Sequence, residues 1–477
     1  MNKPLNFRLY TLTPIHIGCD EVYEPTNFAI DEKTRKLIEF DQFDFVKSLS
    51  ESDKNKLVKI CEEGGLPSII KLYNFVFNHK IAGRGIDIAS GLISHYRDIR
   101  NLPTNNIKKL QNELNNFAIA RTSYNPHKNS PYIPGSSIKG ALRTAYLTKL
   151  ALEKGIKEQL SDSKNGSKPL EEKLLGGRGS DGTDPFRMVK VSDFFSARNV
   201  STKIVYTVNK EKNPTRKSDI YTILEIIKER AVFEGIISIE SPLPNSGIKN
   251  PINQEVLLKA LNDFYLKQWR ADEKDLKKIN INTDKILLHT FSSECKDILG
   301  KSAFLIRIGR HSGAESVTIE GYRNIWIKPK KGKQTGCLDH ATTIWLSSES
   351  KSPEVNDGLL PFGWALLEIS DTNKSKVEPL LNKQPEISIN AITSPPKPTQ
   401  PVKSEFEVFK EQLSVLQIGG KDWGRMHDFV SQIKRMQNPE NKRSAAQLLK
   451  NQIVKNRKKS KDYSKKTWYK ELEEFCQ

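Results

Sequence analysis

Apolar and polar residues alternate over short stretches near the start of the chain, and turn residues end each stretch. Between Phe7 and Thr13 every second residue falls on the same face, which predicts a strand, and Pro14 stops it. Residues 26–49 predict two short strands joined by a turn and then a helix that opens at Asp41. Strand and helix patterns therefore occur together in this opening part of the chain.

Later parts of the chain repeat the mixture without a regular alternation of strand and helix. Helical spacing recurs over residues 51–78, 107–119 and 251–275. The apolar runs Ala303–Ile308 and Trp364–Ile369 have strand composition, and we expect both to be central strands of a sheet. The predicted fold class is therefore α+β.

The segment from Pro131 to Leu147 combines a tight turn with the start of a helix. Pro134 and Gly135 form the turn, and Ser136 or Ser137 is a suitable N-cap. The positions that are apolar at helical spacing are Ile138, Ala141, Leu142 and Ala145. We therefore predict that a helix begins here.

The start of this helix has the chemistry of an anion site. The first-turn amides, from Ser136 to Ile138, lack acceptors within the helix and lie at the positive end of its dipole. Lys139 and Arg143, four residues apart, share a face and add two charges. Ordinary capping and solvation use the same residue types, so the pattern alone leaves both interpretations open.

A nucleotide-binding P-loop is excluded at this segment. Gly135 and Gly140 have the glycine spacing of that loop. Ala141 and Leu142 stand where the loop requires Lys and then Ser or Thr. The amine that reaches the phosphates and the hydroxyl that binds magnesium are therefore missing.

The same segment resembles the glycine-rich signature of the RAMP superfamily, the RNA-binding subunits of CRISPR effector complexes. Its residues 134–143 match the order Pro-Gly-Ser-Ser-hydrophobic-Lys-Gly-x-hydrophobic-Arg. Leu12–Gly18 resembles the opening strand and turn of the family, and Phe304–Gly313 and Leu360–Ile369 resemble later strands and the C-terminal glycine turn of one branch. That branch is the terminal subunit of the type III-A Csm complex.

The resemblance implies a ferredoxin-like or RRM-type RAMP core with a second α+β domain. It implies a non-catalytic RNA-binding subunit that binds the 3′ part of the guide RNA (crRNA), caps the backbone filament and supports crRNA maturation in antiviral defence. The implied partners are crRNA, other Csm subunits, especially the backbone RAMP subunits, and indirectly the target RNA. We expect no cofactor, no metal and no membrane partner.

Two sets of site residues follow from the motif matches and from the chemistry of the segments. The expected RNA-contacting residues are His16, Gly18, Ser136, Ser137, Ile138, Lys139, Arg143, Arg307, Arg310 and His311. The expected structural glycines are Gly135, Gly140, Gly309 and Gly363, because a side chain there would block a turn or a close approach of the backbone.

The alternative function is a RAMP endoribonuclease that processes or trims guide RNA without a metal. His16 and His311 each adjoin a glycine turn and are the histidines best placed to act on RNA. Metal-dependent cleavage in a related RAMP branch depends on an Asp after the corresponding turn. Asp20, Glu21 and Glu24 are nearby but do not match that pattern. Trimming by a recruited host nuclease is a third hypothesis, with the 161–185 insertion or the basic tail as its docking site.

Composition agrees with an RNA partner. The chain has 76 Lys and Arg against 57 Asp and Glu, a formal net charge of +19, as expected for a protein that neutralises phosphates. Its five cysteines include no Cys-x-x-Cys pair, which predicts free thiols in a reducing compartment. No long apolar run or secretory pattern occurs, so we expect a cytoplasmic protein.

At 477 residues the chain is too long for one ordinary core, and we predict four parts. Residues 1–200 form the RAMP ferredoxin-like core with a helical insertion, and residues 201–383 form the second α+β domain. Residues 384–405 form a proline-rich linker, and residues 406–477 a basic helical extension. Residues 161–185, rich in Ser, Gly, Asp and Lys, are predicted to be a mobile surface loop.

Overall fold

The computed structural model contains two compact units, Met1–Ile387 and Ser388–Gln477. The structure describes residues 4–155, 167–178, 181–213, 220–289, 296–327, 336–356, 358–370, 375–383, 406, 409–410, 413, 426–436, 438–455 and 466–476. Each unit is described below by itself.

The first unit contains two large sheets and the helices that cover them. Its described strands are β1 Leu5–Thr11, β2 Gly18–Val22, β3 Phe28–Asp31, β4 Lys36–Glu39, β5 Arg84–Ile88, β6 Ile119–Thr122, β7 Tyr124–Asn125, β8 Ser130–Ile133, β9 Val189–Val191, β10 Phe194–Ser196, β11 Thr202–Glu211, β12 Tyr221–Ile227, β13 Val232–Ile239, β14 Ala303–Arg307, β15 Ile325–Ile327, β16 Gly336–Leu338, β17 Thr343–Ser348, β18 Leu360–Pro361 and β19 Trp364–Ile369.

The helices of this unit lie between the strands without a fixed repeat. Those described are α1 Gln42–Ser48, α2 Glu51–Glu63, α3 Gly65–Phe77, α4 Gly91–Arg100, α5 Ile107–Asn116, α6 Gly135–Lys154, α7 Ser167–Leu175, α8 Gln254–Lys278 and α9 Glu378–Lys383, with 3-10 turns at Pro185–Met188, Thr283–Lys285 and Ala314–Val317. The predicted α+β class is confirmed. None of the described helices is both long and apolar enough to cross a bilayer.

The first sheet has the strand order β14-β19-β1-β13-β10-β8-β7, and β9 also pairs with β13. Strand β1 is central because its alternate apolar residues are buried and both of its edges are paired. Leu9 lies opposite Phe233 of β13 on one side and opposite Leu367 of β19 on the other, and both pairings are antiparallel. The N-terminal strand is therefore held by strands that follow it by more than two hundred residues.

Both late apolar runs form strands, as predicted, but only one of them is central. Strand β19 lies between β1 and β14, whereas β14 is at the end of the strand order. All five residues of β14 are nevertheless buried, because α8 packs against this strand. The predicted helix at Asp41 is also confirmed, and the Asp41 carboxylate accepts a hydrogen bond from the amide of Asp44 at 3.0 Å.

The second sheet has the order β2-β6-β12-β11-β5-β4-β3, with β17 on β11 and β18 on β17. Strand β11 is parallel to β5, and β12 is parallel to β6, whereas the other described pairings are antiparallel. Strand β2 is an exposed edge strand whose register is irregular between Gly18 and Val22. It pairs with β6 at Gly18↔Thr122 and Val22↔Ala120.

Residue 200 does not separate compact units, in contrast to the predicted division between 1–200 and 201–383. Strands from both sides of this position share each of the two large sheets, so neither segment buries its own strands alone. The predicted linker, 384–405, lies outside the described residues. Within the predicted surface loop at 161–185, the described part contains helix α7, which buries three leucines and is therefore packed.

The second unit has a helical core of its own. Its described helices are α10 Met426–Arg435, α11 Pro439–Lys455 and α12 Thr467–Glu474. Their apolar faces meet around Phe429, Ile433, Leu449, Ile453 and Leu472, all of which are buried. The predicted helical character is confirmed for these residues. Over 406–477 the sequence carries 16 Lys and Arg against nine Asp and Glu, so the unit is strongly basic.

Candidate nucleic-acid interface

Main-chain hydrogen bonds join the turn after β1 to the ends of β14 and β19. The amide of Gly363 donates to the carbonyl oxygen of Pro14 at 2.9 Å, and the amide of Ile308 donates to that of Gly363 at 2.9 Å. The amide of Arg310 donates to the carbonyl oxygen of His16, also at 2.9 Å. We call these residues, 14–16, 308–310 and 363, the three-segment junction.

Two glycines allow the junction to close. Gly309 and Gly363 have φ angles of +86° and +93°, a region that residues with a side chain rarely adopt. A Cβ atom on Gly309 would lie 2.5 Å from the carbonyl oxygen of His16, and one on Gly363 would lie 2.5 Å from that of Ile308. Both positions therefore require glycine for conformation and for space.

Helix α6 begins at Gly135, and its N-cap lies two to three residues before the predicted caps. Pro134 is the N-cap and makes no side-chain capping bond, so Ser136 and Ser137 lie inside the first turn. The amide of Gly135 instead donates to Asp193 Oδ1 at 2.8 Å. A Cβ atom here would lie 2.5 Å from the carbonyl oxygen of Val191, so the helix start packs directly on the backbone after β9. Tertiary contacts replace the local cap that the sequence predicts.

A groove of about 400 Å³ lies between the start of α6 and the junction, and we call it the signature groove. Seven of the predicted site residues line it: Gly18, Ser136, Ser137, Gly140, Arg307, Gly309 and Arg310. The prediction did not include Ile17, Ala141, Thr144, Tyr265, Ile308, Ser312, Ser316 and Val317, which also line it. Thr144 could have been found from the sequence, because it lies one helical turn after Gly140 and two after Ser136.

The groove offers several hydrogen-bond donors to a ligand. Ser136 is exposed, and among the described residues no acceptor lies within hydrogen-bonding distance of its amide. A Cβ atom on Gly140 would meet nothing within 4 Å, so the helix surface there is open. Arg310 is exposed, and within the described residues no carboxylate forms an ion pair with it. These groups suit an anion at the positive end of α6.

Lys139 and Arg143 do not line the groove, contrary to the prediction that their charges belong to the anion site. The Arg143 guanidinium forms ion pairs with Glu171 of α7 at 2.7 Å and with Asp184 at 2.9 Å. Lys139 shares that face of the helix, where burial and then the nearby Lys190 lower its pKa. Ile138 is fully buried in the core. Because α7 packs on this side of α6, Arg143 is committed to ion pairs within the unit, and Lys139 lies on the same side, away from the groove.

Arg307 reaches the groove wall but is bound by protein groups. Its guanidinium lies 2.7 Å from Asp272 Oδ2 of α8, donates through Nε to the carbonyl oxygen of Phe362 at 2.9 Å, and stacks on Trp364 at 4.7 Å. Burial raises the pKa of Asp272, and the adjacent Arg307 opposes that shift. Arg307 therefore holds the backbone at Phe362, next to the junction.

His16 is fully buried behind the groove wall and has one fixed partner. Its Nδ1 lies 2.7 Å from the carbonyl oxygen of Glu225, so Nδ1 carries the hydrogen. Burial lowers the pKa of His16, and the positive charge of Arg310 lowers it further. Among the described residues, Nε2 of this ring has no hydrogen-bond partner.

His311 follows the junction with a φ angle of +66° and packs between aromatic rings. Its ring lies 4.8 Å from Trp345 and 5.5 Å from Phe362. Burial lowers the pKa of His311 to about 3, with Arg310 contributing, so the ring is neutral at physiological pH. It does not line the signature groove. Among the described residues, no group of three or more His, Cys, Asp or Glu side chains is placed to hold a metal ion.

A sequence profile of the RAMP superfamily matches residues 8–472, which is nearly the whole chain. The chain therefore belongs to the RAMP superfamily. This agrees with the glycine-rich segment at the start of α6 and with the mixed fold built around it.

The chain is also similar to individual proteins. The chain is 29% identical over 140 residues to the CRISPR system Cms protein Csm5 of Methanocaldococcus jannaschii, a match that covers 28% of each protein. It is similar in fold to a chain of a Csm-crRNA-target RNA ternary complex of a type III-A CRISPR-Cas system, with a TM-score of 0.50 and 17% identity, covering 77% of this chain and 100% of that one. It is also similar to T. onnurineus Csm5, with a TM-score of 0.45 and 16% identity, covering 75% and 99%.

Replacing Gly309 tests whether the junction requires the close backbone approach. Gly309→Ala should lower the free energy of unfolding by about 1–3 kcal/mol more than Gly321→Ala, because overpacking against the carbonyl oxygen of His16 adds to backbone strain. Gly321 is a matched control: its φ is +85°, and a Cβ atom there meets nothing within 4 Å. Urea unfolding measures both variants, and equal losses would contradict the steric role.

The neutral ring of His311 should make stability depend on pH. Between pH 6.5 and about 3 the unfolded chain binds a proton at this residue that the folded chain excludes, so the free energy of unfolding falls as pH falls through this range. His311→Asn, which tolerates the left-handed backbone, should make the decline between pH 7 and pH 5 shallower. Urea unfolding at the two pH values measures it, and parallel pH dependences in both proteins would contradict the assignment.

Proposed function

We propose that this RAMP protein is a non-catalytic RNA-binding subunit of a type III-A Csm complex. In this role it binds the 3′ part of the crRNA, caps the backbone filament and supports crRNA maturation. The observation that carries the proposal is the signature groove, where the start of the family's glycine-rich helix, the glycine turn after β1 and Arg310 meet. The similarity to Csm5 and to a chain of a Csm-crRNA-target RNA complex supports the choice of branch.

Binding in the groove uses the sugar-phosphate backbone. A phosphate at the start of α6 accepts from the amide of Ser136 and from the hydroxyl groups of Ser136 and Ser137, while Arg310 supplies the positive charge. Arg143 and Arg307 make no direct contact in this proposal because protein groups hold them, and Lys139 makes none because it does not line the groove. Contacts of this kind fix the path of a strand and read little of its sequence.

The partners follow from the same proposal. They are crRNA, the other Csm subunits and especially the backbone RAMP subunits, with target RNA reached through its pairing to the guide. The terminal position requires an interface that receives a backbone subunit on one side only.

Filling the open surface at Gly140 tests the groove directly. Gly140→Leu should weaken binding of a single-stranded guide RNA at least tenfold, because the new side chain occupies the space where the backbone of the RNA lies. The fold should not suffer, since Leu is a better helix former than Gly by about 0.8–1 kcal/mol. Fluorescence anisotropy with the full chain measures the affinity. Unchanged binding by a folded Gly140→Leu protein would show that the RNA does not bind in the signature groove.

Arg310 of the junction and Arg143 of α6 form a matched pair for testing which arginine contacts a phosphate of the RNA. Arg310→Gln should reduce the slope of log affinity against log salt by about 0.7–1, because one phosphate contact is lost. Arg143→Gln should leave that slope unchanged and instead lower stability, since it leaves Glu171 and Asp184 without their cation. Salt titrations of RNA binding separate the two. A reduced slope for Arg143→Gln together with an unchanged slope for Arg310→Gln would instead support phosphate binding by Lys139 and Arg143.

A non-catalytic subunit leaves its bound RNA intact. Purified protein incubated with labelled precursor RNA should give no product in EDTA or in magnesium. Cleavage in EDTA that is abolished by substitution of His16 or His311 would show instead that the protein is a metal-independent endoribonuclease. Cleavage lost only when Asp20, Glu21 and Glu24 are replaced together would indicate a metal-dependent reaction.

A further inference from the structure

The Nε2 atom of His16 is a buried hydrogen-bond acceptor that no described residue satisfies. The carbonyl oxygen of Glu225 can only accept, so the bond at 2.7 Å fixes the hydrogen on Nδ1 and leaves a lone pair on Nε2. Buried polar atoms normally have a partner, and one without a partner destabilises the fold. A ligand that supplies a donor would remove this penalty.

The space left by Gly18 connects this atom to the signature groove. A Cβ atom on Gly18 would lie 3.8 Å from His16 Nε2, and apart from the chain neighbours no other described heavy atom lies within 4 Å of it. Gly18 is exposed and lines the groove. A small group that enters this space from the groove therefore meets Nε2 first.

The edge strand that carries Gly18 can admit such a group. Strand β2 is exposed along its whole length, and its pairing with β6 is irregular between its two ends. The Cβ position is within bonding distance of the Gly18 Cα, so the proposal requires Gly18 to move outward before a ligand oxygen can come within hydrogen-bonding distance of Nε2. The ring itself stays in place, because Glu225 holds its other nitrogen.

The chemistry of nucleic acids limits what this group can be. Phosphate diester oxygens accept hydrogen bonds and would repel the lone pair of Nε2. Base amines can donate, but they differ from base to base, whereas the groove contacts the backbone. The 2′-hydroxyl is a donor that every ribonucleotide carries and every deoxyribonucleotide lacks.

The ring keeps its acceptor at physiological pH. Burial lowers the pKa of His16, and Arg310 adds to this effect, so protonation of Nε2 is disfavoured. The cation that attracts the phosphate thus also maintains the neutral imidazole next to it.

We propose that His16 makes the signature groove selective for RNA over DNA by accepting a hydrogen bond from one ribose 2′-hydroxyl. This inference rests on the proposed function, because it requires a nucleic-acid backbone in the groove. It adds a specificity-determining residue to contacts that would otherwise hold either nucleic acid.

The experiment compares short single strands of one sequence, as RNA, as DNA and as RNA with single 2′-deoxy or 2′-O-methyl nucleotides at successive positions. With the full wild-type chain, one position should be sensitive, and losing its hydroxyl donor should weaken binding about three- to tenfold. The 2′-O-methyl nucleotide keeps an acceptor and the RNA sugar shape but cannot donate. It should therefore weaken binding at the same position.

His16→Asn is the matched variant. Its side-chain amide can keep the bond to the carbonyl oxygen of Glu225, because an Asn NH₂ takes the place of Nδ1, while the acceptor at Nε2 is removed. This protein should remain folded but unfold at a lower urea concentration than wild type, because the fully buried ring is truncated. It should bind DNA as before, and the sensitive position should disappear. His311→Asn, whose ring does not line the groove, should retain that position.

The outcomes separate this inference from the proposed function. If Gly140→Leu weakens RNA binding but wild-type protein shows no position sensitive to 2′ substitution, the groove binds the backbone and the role of His16 is wrong. A sensitive position that persists in a folded His16→Asn protein would also overturn it. If His16→Asn fails to fold, the scan of 2′-substituted RNAs with the wild-type chain still tests the inference, because the absence of a sensitive position would overturn it. If Gly140→Leu binds RNA normally, the RNA site proposed for the groove is wrong, and the inference about His16 that rests on it is wrong as well.

Discussion

The close approach of three main-chain segments at Gly309 and Gly363 is the constraint on which the rest of the first unit depends. The turn after β1, the end of β14 and the start of β19 donate and accept hydrogen bonds at 2.9 Å, and two left-handed glycines allow this spacing. The buried pair of Arg307 and Asp272 fastens the same place to α8. One wall of the signature groove is the outer surface of this junction, so the position of the groove is set by backbone geometry.

Among the described residues, Arg307 and Arg310 are the cations that line the groove. The first unit uses its best-placed cations internally: Arg143 holds α7 against α6, and Arg307 holds the segment before β19. Arg310, the main-chain amide of Ser136 and the serine hydroxyl groups remain for a ligand, together with a neutral histidine behind the wall. Recognition in such a site relies on directed donors and on one acceptor, which can distinguish sugars as well as hold phosphates. The second unit, which has a helical core of its own, carries part of the excess positive charge.

The interleaved sheets explain why residues 1–200 and 201–383 are not independent. Strand β1 is flanked by β13 and β19, and strands β5 and β6 are parallel partners of β11 and β12. Parallel partners need long connections, so the chain must cross between sheets before either is complete. Local patterns indicate helices and strands but not which sheet each strand joins, and the predicted boundary at residue 200 therefore missed this exchange.

The sequence by itself determined the mixed fold class, the helix after Pro134, the cap at Asp41, the glycines whose conformation the junction needs, and the family. These features depend on local spacing or on residues with one dominant physical property, such as the freedom of glycine at positive φ. The tertiary structure decided which charged side chains face the groove, because an arginine four residues from a lysine can face either a ligand or a neighbouring helix. It also decided that Asp193 rather than a serine serves the first amide of α6, and that the Nε2 atom of His16 lies behind Gly18. The contacts of Arg143 and Asp193 join residues far apart in the chain, and no periodicity along the sequence encodes any of these relations.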